Sequence, residues 1–158
     1  DHPEMMDKIQ ALFNQDNGTG RVANVSGQGF VDSYEYLGRW MNKVPKEITR
    51  DVETTFPGNP GGGGSDYASF VAAGVPAFSL SSLSWSYYNY TWNTNLDTYD
   101  KIVFDDVQNN VIMAAIMVYM ACEEPDMVSR ERRIPLVRNG EPTEWPSMRS
   151  PTRKGGMD

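Results

Sequence analysis

Residues 65–80 change from a helical to an extended pattern across a single glycine, and that change narrows the fold more than any other feature of the chain. Ser65 stands where a helix cap belongs, and Asp66 to Ala73 reads as a short helix that Gly74 ends. Val75 to Leu80 (VPAFSL) follows at once as an apolar, buried-looking strand. A helix that hands over directly to a buried strand belongs to a sheet with helices on its faces. The rest of the chain repeats the alternation, so the expected class is α/β.

Upstream, Ile9 to Phe13 is an apolar run that reads as a strand delivering Asp16 at its C-terminal end. Asn17-Gly18-Thr19-Gly20 is turn chemistry, and Arg21 to Ser26 is a second extended piece. Asp32 or Ser33 can cap a helix to about Lys43 with Tyr36, Leu37, Trp40, Met41 and Val44 on one face, and Pro45 stops it. Ile48 to Phe56 reads as a strand. Pro57 to Gly64 (PGNPGGGG) is a loop, and it lacks the Lys-Ser/Thr that a phosphate-binding loop requires.

Ser81 to Tyr90 is polar and aromatic, suited either to lining a pocket or to surface packing. Asp105 or Asp106 is expected to cap the clearest helix, which runs to about Glu123. Its inward face would carry Val107, Val111, Ile112, Ala115, Val118, Tyr119 and a buried, inert Cys122. Residues 1–128 form the α/β body, and residues 129–158 an irregular tail rich in Pro and Arg, either wrapped on the body or loose.

Charge excludes one class of partner. The formal net charge is −7, with the body at −10 (7 basic, 17 acidic) and the tail at +3 (7 basic, 4 acidic). An acidic body is unsuited to nucleic acid, which needs a basic surface. The tail is expected to lie across the acidic body, with anion or RNA binding as the alternative. No apolar run approaches the length of a membrane span. The chain starts at Asp1 rather than Met, which reads as a processed product or a piece of a longer chain. Compartment is open. Asn17-Gly18-Thr19, Asn24-Val25-Ser26 and Asn89-Tyr90-Thr91 fit a glycosylation pattern that is common by chance.

Two segments end strands with residues suited to a site: Phe13 to Gly18, and Trp92 to Thr98. Asp16 reads either as a carboxylate metal ligand or as an Asx-turn. Asn93, Asn95 and Asp97 alternate like the start of a calcium loop, but its glycine and distal glutamate are missing. The single histidine, His2, reads as an exposed terminal residue, so no Ser-His-Asp or Cys-His arrangement is expected.

Gly64-Ser65-Asp66-Tyr67-Ala68-Ser69-Phe70 with Ala73-Gly74-Val75-Pro76-Ala77 resembles the Gly-Ser-Asp-(His/Tyr)-x-x-Phe…Gly-(Ile/Val)-Pro-Ala segment of the dizinc aminopeptidases, metallopeptidase family M28. Trp92 to Ile102 is similar to that family's His-Thr-x-x-Asp-Thr-x-Asp-Lys-Ile segment, and Phe13 to Asp16 to the strand carrying a metal-binding aspartate. The likeness covers residues 5–125, in order.

The resemblance implies the C-terminal portion of a three-layer α/β/α sheet with two zinc ions at the strand ends. In the family the ligands are a histidine, a bridging aspartate, a glutamate, a second aspartate and a second histidine, while a further glutamate activates the bridging water as general base. Asp16 matches the second aspartate. Asn93 stands at the second histidine's position, where a neutral amide is a poor zinc ligand. The other ligands and the base lie earlier in the family's sequence.

Asp66 and Asp97 are then candidates to orient a ligand or, alternatively, to cap a helix or turn. Tyr67, Tyr88, Tyr90 and Trp92 are candidates to line a substrate pocket. The implied function is the C-terminal part of a zinc-dependent aminopeptidase acting on peptides and inactive alone. Its partner would be its missing N-terminal half or a second copy. The alternative is a metal-free pseudo-enzyme or binding module.

Overall fold

The computed structural model of the chain describes residues 3–134 and 136–148. His2, and with it the expectation of an exposed terminal residue, lies outside them. The first elements are a helical turn α1 (Pro3–Met6), strands β1 (Leu12–Gln15) and β2 (Val22–Ser26), and helix α2 (Ser33–Met41). Then come helix α3 (Lys46–Thr49), strand β3 (Glu53–Thr55), helix α4 (Tyr67–Ala73), strand β4 (Ala77–Ser82), and the long helix α5 (Phe104–Glu123).

The four strands form one mixed sheet in the order β1-β4-β2-β3. β1 runs parallel to β4, with Leu12 opposite Ala77 and Gln15 opposite Leu80. β2 runs antiparallel to β4, with Val25 opposite Leu80, and parallel to β3. The C-terminal ends of β1 and β4 and the start of β2 therefore meet at one end of the sheet.

Period-2 alternation sends neighbouring side chains to opposite faces, and both faces are covered. On one side Phe13, Phe78 and Leu80 meet Leu37 and Trp40 of α2 and Met113, Met117 and Ala121 of α5. The Trp40 ring stands edge-on to Phe13 at 5.8 Å and to Phe78 at 6.0 Å, and Phe13 stacks on Phe78 at 5.4 Å. Its indole Nε1–H donates to Glu124 Oε2 at 3.0 Å, and Glu124 also pairs with Arg39. On the other side Leu12 and Ala77 pack with Phe30, and with Tyr67, Phe70 and Val71 of α4. The arrangement is helix layer, sheet, helix layer, as the alternation in the sequence implies.

Several elements depart from expectation. Ile48 is not in a strand: Pro45, with φ −50°, opens the single helical turn α3, which buries Ile48, and only Glu53–Thr55 remains extended. The Pro45 carbonyl accepts from Ile48 N and Thr49 N, and that turn outweighs the β-branched residues in it. No helix cap is made by the expected side chain. Ser33 Oγ donates back to Phe30 O, Ser65 Oγ donates to Asn14 Oδ1, and the residues just before α2, α4 and α5 make no side-chain cap hydrogen bond of their own.

The buried face of α5 is Asp106, Asn110, Met113, Met117 and Ala121, one residue round from the face expected. Val111, Val118, Tyr119 and Cys122 are exposed. Asp106 and Asn110 turn inward because they serve backbone groups of the sheet, and that rotates the whole helix.

The tail is not wholly irregular. It carries a hairpin of β5 (Leu136–Arg138) and β6 (Glu141–Thr143), and its start runs beside Phe30, with Arg133 N–H donating to Gly29 O at 2.8 Å. Arg130 donates to the carbonyls of Met6 and Ile9. Trp145 closes the second core: its Nε1–H donates to Val71 O at 2.8 Å, its ring meets Phe30 edge-on at 5.3 Å, and Arg132 lies over it at 4.9 Å.

Candidate functional site

The end of the sheet where β1 and β4 finish is built from short polar links. Asp16 is the first residue beyond β1. Asn17 Oδ1 accepts from Ser82 N at 2.9 Å, and Gln15 Nε2 donates to Ser82 Oγ at 2.8 Å, so the two strand ends are tied together. Gly18 has φ +80°, and a Cβ there would come within 2.9 Å of Tyr87 Cγ. The glycine thus lets the Tyr87 ring press on the turn.

Helix α5 supplies the other wall. Asn110, 5% exposed, accepts from Val22 N at 2.9 Å and donates to Gly20 O at 2.8 Å. Asp106, 8% exposed, accepts at Oδ2 from Arg21 N and from Trp85 Nε1, both at 2.9 Å, while Arg21 Nε approaches its other oxygen at 3.4 Å. One carboxylate therefore holds both the start of β2 and the first ring of the aromatic loop. That loop rises through Trp85 and Ser86, with φ +44° and +64°, into a π-helical turn over Tyr87–Thr91. Its rings brace one another: Tyr87 on Tyr88 at 5.2 Å, and Tyr88 on Trp92 at 5.8 Å.

Two cavities open here, and Asp16 and Asn17 line both. The larger, about 510 Å³, lies between the turn, the aromatic loop and α5. The smaller, about 230 Å³, is lined by hydroxyls and amides, among them Asn14, Ser65, Ser79 and Ser81. The side-chain carboxylates of Asp16 and Asp97 form no hydrogen bond or ion pair among the described residues. Burial, with the nearby Asp97 and Asp16 carboxylates, pushes the Tyr87 hydroxyl above its usual range. Lys101 hydrogen-bonds Asp100 and, with Thr98, draws that carboxyl down to about 2.

Of the candidates from sequence, Asp16, Asp97 and Tyr90 line the larger cavity, and Asp16, Tyr67 and Tyr88 the smaller. Trp92 is half exposed beside Tyr88 and lines neither. Asp66 precedes α4 without capping it. Asn93 is exposed, with φ +56°, a left-handed conformation that Asn tolerates better than most residues. That backbone need gives this position a reason for Asn that owes nothing to metal.

Three residues anchor the site in roles that the sequence did not show. Asn14 Oδ1 accepts from Tyr67 N at 2.9 Å as well as from Ser65, so a strand side chain caps α4 from outside. Asp106 and Asn110 are the others. Their signal was two polar residues four apart on one face of a helix whose first turns also carry Asp105, Gln108 and Asn109.

Zinc, which the resemblance implies, does not fit these residues alone. Among the described residues no three His, Cys, Asp or Glu side chains come together to hold a metal. Asp16 offers one carboxylate, whereas a zinc site takes three or four protein ligands.

Comparison with known proteins agrees with the architecture. Residues 1–118 match the model of Peptidase family M28. The crystal structure of a peptidase M28 precursor from Shewanella amazonensis SB2B is similar in fold, with a TM-score of 0.62 at 22% sequence identity over 80% of this chain. The chain spans 27% of that protein's length. No curated protein matches it.

Proposed function

Because the chain belongs to peptidase family M28, we propose that it forms the substrate-facing portion of a zinc-dependent exopeptidase of aminopeptidase type, and that these 158 residues are inactive alone. The observation that carries the reading is that Asp16, its carboxylate without a hydrogen-bond or ion-pair partner among the described residues, lines both cavities at the strand ends. A peptide laid across the Asp16 and Asn17 turn that the two cavities share would place neighbouring residues on either side of it. Asp16 contributes one ligand, and the remaining ligands and the general base come from sequence outside these residues.

The test is turnover of aminoacyl chromogenic substrates with added zinc. The 158-residue chain is expected to show none above its Asp16→Ala variant. The chain extended by the sequence that precedes it in its gene is expected to turn over, and Asp16→Ala in that longer protein to lose at least about tenfold. A longer protein that binds peptides but never cleaves them would favour the second reading, a binding module, for which Asn93 at a family histidine position speaks.

The same reading places further strands of the domain beside β1, which among the described residues is paired only with β4. An open strand edge recruits partners, and the apolar outer face of α5 (Val111, Val118, Tyr119) adds to it. Sedimentation of the 158-residue chain is expected to show concentration-dependent association. A monomer at every concentration would refute this placement.

A further inference from the structure

We infer that the larger cavity is a side-chain subsite selective for a cationic residue of a peptide, lysine or arginine; this rests on the peptide-cleft reading above. Two kinds of surface meet in it. The floor is aliphatic, from Ile102, Val107 and Ala114. The rim carries the Asp97 carboxylate and the rings of Trp85, Tyr87 and Tyr90. A side chain with an apolar stem and a charged head buries the first against such a floor and keeps the second at the rim.

The charge at the rim is uncompensated. The Asp97 carboxylate accepts no hydrogen bond and forms no ion pair among the described residues, and the residue's one hydrogen bond there is its backbone N–H to Thr94 O. Lys101 is the only cation lining the cavity among them, and it is bonded to Asp100. Tyr and Trp faces attract a cation as well. A glutamate side chain would meet Asp97 and Asp16 with like charge. A neutral aliphatic chain would cover the floor and leave Asp97 unused.

Calorimetric titration of the 158-residue chain with lysinamide and norleucinamide tests this, because the two share the α-ammonium and the butyl stem and differ in the terminal cation. Lysinamide is expected to bind about tenfold more tightly, the size of one exposed ion pair plus one cation–π contact. Asp97→Asn, checked by its melting temperature, is expected to bring lysinamide down to the level of norleucinamide. Added salt is expected to weaken lysinamide binding to the unmodified chain and spare norleucinamide, a readout that does not depend on the variant folding. Equal affinity for the two amides would overturn the cationic preference and leave the peptide cleft standing. Binding of neither at millimolar concentration would overturn both.

Discussion

Replacing Trp40 with alanine is expected to cost about 3–5 kcal/mol of folding stability, the range for removing a buried aromatic ring. Trp40 is fully buried and touches both layers of its core: the rings of Phe13 and Phe78 on the sheet and, through its indole nitrogen, Glu124 beyond the end of α5. The loss combines a cavity with a largely buried carboxylate that keeps Arg39 as its partner. Against a typical total of 5–15 kcal/mol this leaves little margin. Urea unfolding of the two proteins measures it. Trp40→Phe separates the contributions, since it keeps a ring but not the donor, and should lose much less. A cost below about 1 kcal/mol for alanine would mean that the sheet and helices relax into the space.

Asn110→Ala is expected to destabilise by about 2–5 kcal/mol, because it strips partners from two buried backbone groups at once, each worth about 1–3 kcal/mol. Val22 N–H and Gly20 C=O have Asn110 as their side-chain partner, and the residue is nearly inaccessible to water. The effect should also reach the cleft, since residues 15–19 and α5 are opposite walls of the larger cavity. Urea unfolding gives the energy, and the lysinamide titration gives the cleft. If stability falls by less than about 1 kcal/mol, water must replace the carboxamide there.

Where a pattern was local, the sequence revealed the fold. Gly74, with φ +81°, ends α4 as its lack of a side chain suggests, and the apolar runs around Phe13, Val25 and Phe78 became β1, β2 and β4. Reading failed where one residue served a distant partner. The face of α5 could not be found from periodicity, because Asp106 and Asn110 are buried by contacts with residues 20–22, nearly ninety positions away. Ser65 looked like a cap until Asn14 on β1 took that role. Asp16 was legible as the end of a strand. The cavities beside it were not, because they exist only once β1 pairs with β4 and the loop beyond Ser82 folds back over the turn at Gly18.

The links between α5 and the start of β2 have a dynamic meaning as well. The amide hydrogens of Arg21 and Val22 are held by side chains of α5, not by a neighbouring strand. Their exchange with solvent deuterium therefore clocks the undocking of the helix, while amides deeper in β2 clock the parting of strands. Two adjacent residues thus give a built-in gauge of how often the cleft wall lifts away.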